Sequence, residues 1–444
     1  MHLTFYLTKI LQAFLIGIPV AWLTAPLSIK IAYKLDIIDK PRDDRRVHNR
    51  PIPRFGGMAI FLGSMAAMII PAGMNSSIRT AMLGGLMMYL TGVADDIYDL
   101  RPMVKFAAQV FTATVMFAMG IRIRFINLML APISNGSKAM IYFSVGLAYL
   151  ITVLWIVGIT NAVNLMDGLD GLAAGSTAIM SISLAYVAYI HGIRLGAMPV
   201  CIAFCAVAAG CIGFLPYNFS PAKTFMGDGG ALYLGYMIAI LSVISPLKRA
   251  TFVGAIIPTM VLAVPIFDTA FAMVRRVFRH ESIMKADRGH LHHHLMAAGF
   301  GQRRSVLIMY GIVGIMGVAA ILISRELYID SLFLISIALL YLGIIIVPRQ
   351  PKKNLRKIIT QDPHEAAKQA ERENLIWMLN QERERRRAAK EAAGEDPDTR
   401  DDELLAEIAR DAAKSDKKSS RRTVRIKMPE KTDPADERPT DKDK

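Results

Sequence analysis

The chain has 444 residues, 53% of them hydrophobic, and a formal net charge of +15. That much apolar sequence excludes an ordinary soluble domain, and the basic excess reads as loop anchoring at a membrane, not as a nucleic-acid surface. Cys201, Cys205 and Cys211 share one apolar stretch without partners at ligand spacing, which excludes a zinc site and a disulfide framework.

Composition changes near residue 348. Up to Val347 the chain is a series of long apolar runs, and beyond it Ala, Glu, Lys and Arg dominate. The expected fold is an all-α polytopic membrane protein, with a membrane domain at 1–347 and a charged cytoplasmic tail at 348–444. In chain order, spans are predicted near 5–32, 57–72, 78–94, 103–121, 139–160, 171–190, 198–216, 231–247, 251–274, 305–323 and 328–347. By the length rule that makes about eleven transmembrane helices. The first run lacks a small-residue cleavage site and reads as a retained helix. In the tail, 365–393 is predicted to be helical, carrying the apolar patch Leu375–Leu379, and the rest disordered.

The loops alternate in charge. One set holds Lys34, Lys40, Arg42, Arg45, Arg46, Arg50, Arg54, Arg101, Lys105 and Lys223, and ends with Arg275, Arg276, Arg279, Lys285, Arg288, Arg303 and Arg304. The other holds only Arg79, Arg122, Arg124, Lys138, Arg194, Lys248, Arg249 and Arg325. The positive-inside rule puts the first set in the cytoplasm, with the N-terminus outside and the tail inside.

Three acidic clusters then fall on that cytoplasmic side. A carboxylate at a helix centre costs roughly 2.5–3.5 kcal/mol on insertion scales, so such groups mark function. The first cluster is Asp95, Asp96 and Asp99. Asp95 and Asp99, four apart, would share a helix face, and three carboxylates in one turn repel unless a cation or a proton sits between them. Mg²⁺ suits such a site, bound by one or two carboxylates plus phosphate oxygens, with Mn²⁺ as a substitute.

The second cluster, Asn161, Asn164, Asp167 and Asp170, recurs every three residues along a helical turn or tight loop. Its amides can reach phosphate or base edges, and Gly168, Gly171 and Gly175 allow close backbone approach. A plain capping turn would use the same residue types. The third cluster, Phe225 to Gly230, opens a span. Gly227-Asp228-Gly229-Gly230 would offer free N–H groups at a helix start, an anion site, while Asp228 could reach a metal and Phe225 could stack on a base. Last comes a basic loop with His290, His292, His293, His294, Lys285 and Arg288. It has no zinc-spaced carboxylate and reads as a clamp for a diphosphate or a sugar.

Together these motifs resemble the polyprenyl-phosphate N-acetylhexosamine-1-phosphate transferase family. The resemblance runs from about Phe55 to Gly301. It rests on Arg54-Phe-Gly-Gly57, the Asp95-Asp96 pair with Asp99, Lys105 ahead of Gln109, and the run from Asn161 to Gly171. Asn218 ahead of Asp228, and Asp287-Arg-Gly-His-Leu-His-His, complete it. The resemblance implies transfer of a sugar 1-phosphate from a UDP-sugar to undecaprenyl phosphate, with release of UMP, at the bacterial plasma membrane and on its cytoplasmic face. The histidine loop is similar to that of the branch that starts from UDP-N-acetylglucosamine for envelope polysaccharides or teichoic acids. UDP-MurNAc-pentapeptide is the alternative donor.

Carried over by position, the resemblance implies Asp228 as the Mg²⁺ ligand with Asn164 nearby, and Asp170 and Phe225 at uracil. It implies Asn218 and Lys105 at the nucleotide and phosphates, and Asp95, supported by Asp96, as base for the lipid phosphate. Asp167, His292 and His293 are further candidates for catalysis, and Arg288 and His290 for substrate binding. A homodimer is compatible with the tail. A cation-coupled transporter is the reading from another class, but it predicts ionisable groups near mid-membrane, not at one interface.

Overall fold

Long runs of Leu, Ile, Val, Ala and Met without interior charge can satisfy their backbone in lipid only as helices, and helices are what most of the chain forms. The structure, a computed structural model, describes residues 2–39, 51–128, 139–192, 196–245, 259–263, 266, 295–296 and 300–346. All belong to one unit, Met1–Arg349. The predicted tail helix at 365–393 and most of the predicted span at 251–274 lie outside the described residues.

Among the described residues there are ten helices: α1 (His2–Lys34), α2 (Gly57–Ala72), α3 (Ser76–Tyr98), α4 (Pro102–Ala118), α5 (Val145–Met166), α6 (Leu172–Ile190), α7 (Met198–Asn218), α8 (Gly227–Ile244), α9 (Gln302–Ser324) and α10 (Tyr328–Ile346). Six of them (α1 and α5 to α9) are long and apolar enough to cross a membrane. The chain is therefore a mostly helical, multi-pass membrane protein.

Two antiparallel hairpins interrupt the helices. β1 (Ile38–Asp39) pairs with β2 (Ile52–Pro53), and β3 (Phe125–Leu128) pairs with β4 (Ala139–Tyr142). The second hairpin corrects the span expected at 139–160. Ala139–Tyr142 spends its backbone on β3, so the helix starts only at Val145, where the Ser144 side chain accepts from the N–H of Leu147, and runs on to Met166. The span expected at 103–121 ends earlier, at Ala118, and the chain turns away at Gly120 with φ +94°.

α8 lies at the centre, packed on α3 and α5, while α1, α2 and α7 pack together and α6 joins α7 to α9. Contact is close enough to exclude side chains. A Cβ on Gly92 of α3 would come within 2.3 Å of the Asp228 carbonyl oxygen of α8. Small residues at helix crossings are the usual means of such approach in membranes, where dispersion and not hydrophobic burial drives association. Polar ties add direction: Trp155 of α5 donates to Ser242 of α8 at 3.0 Å, and the hydroxyls of Ser64 and Tyr233 meet at 2.6 Å.

Candidate active site

The C-terminal ends of α3, α5 and α7 and the N-terminal ends of α4, α8 and α9 gather at one end of the bundle, where their polar groups bond to one another. Asp95 sits in the last turn of α3. Its carboxylate accepts from the N–H of Leu100 at 2.9 Å and from Lys105 Nζ at 2.8 Å. Lys105 is on the first turn of α4, a helix that opens with Pro102, as suits a residue with no N–H to leave unpaired. The same ammonium lies 3.0 Å from Asp228 Oδ1 and donates to Asn164 Oδ1 at 3.4 Å. Asn164, on the last turn of α5, donates to Asp228 Oδ1 at 2.6 Å. Four residues from four helices thus make one connected cluster.

Asp96 points elsewhere. Its oxygens accept the backbone N–H groups of Asp228 at 2.9 Å and Gly229 at 3.0 Å. This overturns the expectation of free N–H groups at the start of α8. The anion at that helix end is the protein's own Asp96. Gly227 makes the turn with φ +68°, where a Cβ would meet Asp96 Oδ2 at 2.5 Å. Asp99 leaves the cluster as well. It ends α3 in the left-handed region with φ 49° and is exposed, so the face it would have shared with Asp95 does not exist.

The second acidic cluster also divides. Asn161 and Asn164 share the end of α5, with Asn161 paired to Gln109 by two amide hydrogen bonds. Asp167 terminates α5. Burial pushes its carboxyl up to about 7, with the charge of Asp228 adding to the shift and Arg54 opposing it. Asp170 lies in the following turn and accepts from the N–H of Ala222 at 3.0 Å. Asn218 is buried behind the site and spends its amide on backbone, accepting from Gly171 at 3.1 Å and donating to the Thr224 carbonyl at 3.0 Å. It braces the Asp170 turn against the loop that carries Phe225. That loop is in turn fixed by Phe225 N–H donating to the Pro53 carbonyl at 2.8 Å. Phe225 is partly exposed. Arg288, His290, His292 and His293 lie outside the described residues.

Arg54, following β2, completes the charge pattern. It lies 3.5 Å from Asp96 and 3.9 Å from Asp228, with its side chain 39% exposed. Its signal in the sequence was a single cation ahead of Gly56-Gly57, which carried no role by itself. Tyr310 was not legible at all. It sits inside the apolar run of α9, yet its hydroxyl donates to the Gly171 carbonyl at 2.5 Å and holds the turn after Asp170.

Residues 78–246 match the model of glycosyl transferase family 4. Over 339 residues the chain is 39% identical to a Bacillus subtilis protein named probable undecaprenyl-phosphate N-acetylglucosaminyl 1-phosphate transferase, covering 76% of this chain and 91% of that protein. The chain belongs to glycosyl transferase family 4. Two further relatives bracket it. The decaprenyl-phosphate N-acetylglucosaminephosphotransferase of Mycobacterium tuberculosis is 32% identical over 67% of this chain and 78% of its own length. A phospho-N-acetylmuramoyl-pentapeptide-transferase of Desulforudis audaxviator is 29% identical over 67% of this chain and 93% of its own length.

The donor set of this family 4 site can be tested against a hard cation. Among the described residues, no group of three His, Cys, Asp or Glu is arranged to hold a metal alone. Mg²⁺ does not require one, since it commonly takes one or two carboxylates and completes its shell with substrate oxygens and water. Asp95, Asp96, Asp167 and Asp228, when ionised, outweigh Arg54 and Lys105 by two negative charges, the complement of one divalent ion. Asp228, with its side chain 21% exposed, is the reachable ligand.

Proposed function

We propose that this chain transfers N-acetylglucosamine 1-phosphate from UDP-N-acetylglucosamine to undecaprenyl phosphate, giving undecaprenyl-diphospho-N-acetylglucosamine and UMP. The reaction would start an envelope polysaccharide or teichoic acid. The observation that carries the reading is the Asp95–Lys105–Asn164–Asp228 cluster at one end of the helix bundle. Attacker and target are both phosphates, so catalysis is mostly positioning and charge neutralisation. A site that pairs four carboxylates with the cations Arg54 and Lys105, and so favours a divalent ion, supplies both.

In this reading Asp228, helped by Asn164, would hold Mg²⁺ or Mn²⁺, which when bound offsets charge on the donor diphosphate. Lys105 and Arg54 take the remaining phosphate charge. Asp95, held by Lys105, accepts the last proton of the lipid phosphate, whose second pKa lies near 6 by analogy with phosphoserine. Asp170 and Phe225 receive uracil, and His290, His292, His293 and Arg288, from the basic motif of the sequence, are assigned to the diphosphate or sugar.

The lengths of the apolar runs support eleven spans in the bacterial plasma membrane, and the loop charges support the N-terminus outside, the site facing the cytoplasm and the charged tail inside. The 39% identity to the Bacillus subtilis relative, against 29% to the muramoyl-pentapeptide enzyme, favours the N-acetylglucosamine donor. The test is UMP release by purified protein with undecaprenyl phosphate and Mg²⁺, offering each UDP-sugar in turn. Release with UDP-N-acetylglucosamine alone is expected. Release only with UDP-MurNAc-pentapeptide would transfer the assignment to the sister branch, and release with neither would refute the reading.

A further inference from the structure

We propose that Asp96 is a positioning residue, not a base or a metal ligand: its carboxylate clamps the N-terminus of α8 and so sets where Asp228 stands relative to Asp95 and Lys105. The proposal rests on the reading of the site given above.

Neighbours on a helix point about 100° apart, and Asp95 and Asp96 face different partners accordingly. Asp95 turns to the Lys105 ammonium, and its side chain keeps 9% exposure. Asp96 turns inward, with a side chain 1% exposed, and each oxygen holds one first-turn N–H of α8. A general base must come within hydrogen-bond reach of the proton it takes, and no substrate phosphate can approach an oxygen enclosed in this way.

The surroundings are built for the clamp. Gly227 leaves just the space that the carboxylate fills, and Gly92, one turn before Asp96 on α3, brings the two backbones into contact beside it. Arg54 at 3.5 Å offsets the buried charge. The carboxylate also neutralises the positive end of the α8 dipole, so the dipole is directed at Asp96 and not at the donor diphosphate.

The experiment compares wild type, Asp96→Asn, Asp96→Glu and Asp95→Asn. A carboxamide has one acceptor oxygen, so Asp96→Asn leaves either the Asp228 or the Gly229 N–H unpaired. Turnover of Asp96→Asn should fall on the order of 10²-fold, the scale of a small misplacement. KM for UDP-N-acetylglucosamine and both limbs of the pH–rate profile should be unchanged, and the thermal midpoint in detergent should drop. Asp96→Glu, which keeps the charge, should recover part of both losses. Asp95→Asn should instead lose the acidic limb.

Loss of that limb in Asp96→Asn with an unchanged midpoint would overturn the proposal, as would wild-type turnover. If the Asp96 variants do not fold, hydrogen exchange in the wild-type protein decides. Slow exchange at the Asp228 and Gly229 amides is expected, and exchange at the free-amide rate would refute the clamp. If wild type releases no UMP, the functional reading fails, while the exchange and thermal measurements still judge Asp96.

Discussion

α1 and α8 are both apolar helices long enough to span, yet they occupy opposite places. α1 carries large side chains outward, with Leu11 58% and Leu15 63% exposed, and holds no site residue. In α8 every residue from Gly229 to Val243 is buried, and its first turn carries Asp228. Hydropathy alone does not separate them. Close glycine contacts do not separate them either, since Gly63 and Gly213 meet α1 as Gly57 and Gly92 meet α8; what differs is that α8 is enclosed on all sides and begins Gly-Asp-Gly-Gly. The helix that carries a carboxylate in its first turn is surrounded on all sides, while α1 is packed along one side and apolar on the other.

The contrast can be broken in several ways. Asp228→Asn should lower turnover by about 10²–10³-fold, the scale of removing one preorganised electrostatic contact, with the fold retained by circular dichroism. Near-wild-type turnover at saturating Mg²⁺ would remove Asp228 from the site. Gly92→Leu should cost at least about 3 kcal/mol, because the obstacle is backbone and not a flexible side chain. An unaltered thermal midpoint would show that α3 and α8 are less closely opposed than described.

Sharper still is a matched pair. Ile238→Ala in α8 should destabilise by about 2–5 kcal/mol, and Leu15→Ala in α1 by no more than about 0.5 kcal/mol. Equal shifts in denaturation would erase the distinction between central and peripheral helices.

The smallest expected effect concerns Asp167. A carboxyl whose pKa is raised by folding contributes stability below its unfolded value near 4, and loses it as pH rises through about 7. In metal-free protein the thermal midpoint should therefore fall across that interval, and Asp167→Asn should lessen the dependence without abolishing it, because burial pushes Asp96 up to about 7 as well. A midpoint that climbs from pH 4 to pH 7 in both proteins would rule this out.

Much of the site was legible because charge is conspicuous in an apolar chain. Asp95, Lys105, Asn164 and Asp228 were all singled out as residues, and they meet. The roles of their neighbours were less accessible. Asp96 looked like a second catalytic carboxylate because it adjoins Asp95, and only the turn of α3 sends it to the backbone of α8. Asn218 looked like a nucleotide contact, yet both ends of its amide are spent on loops. Arg54 reaches the site through the β1–β2 hairpin, a pairing too short to leave a pattern. The strand at Ala139–Tyr142 was hidden because apolar residues beside a span read as more span.

The sequence by itself determined that the chain is a bundle of apolar helices with its polar chemistry at one end, since carboxylates and lysines are too costly in lipid to be there by accident. It also determined the family, through motifs that keep their order whatever the packing. Only the tertiary structure decided that the Asp95 carboxylate meets Lys105 while that of Asp96 meets the α8 backbone. That choice depends on where a helix ends and how closely two backbones approach, and both are set by contacts between residues more than a hundred positions apart, such as Asp96 and Asp228.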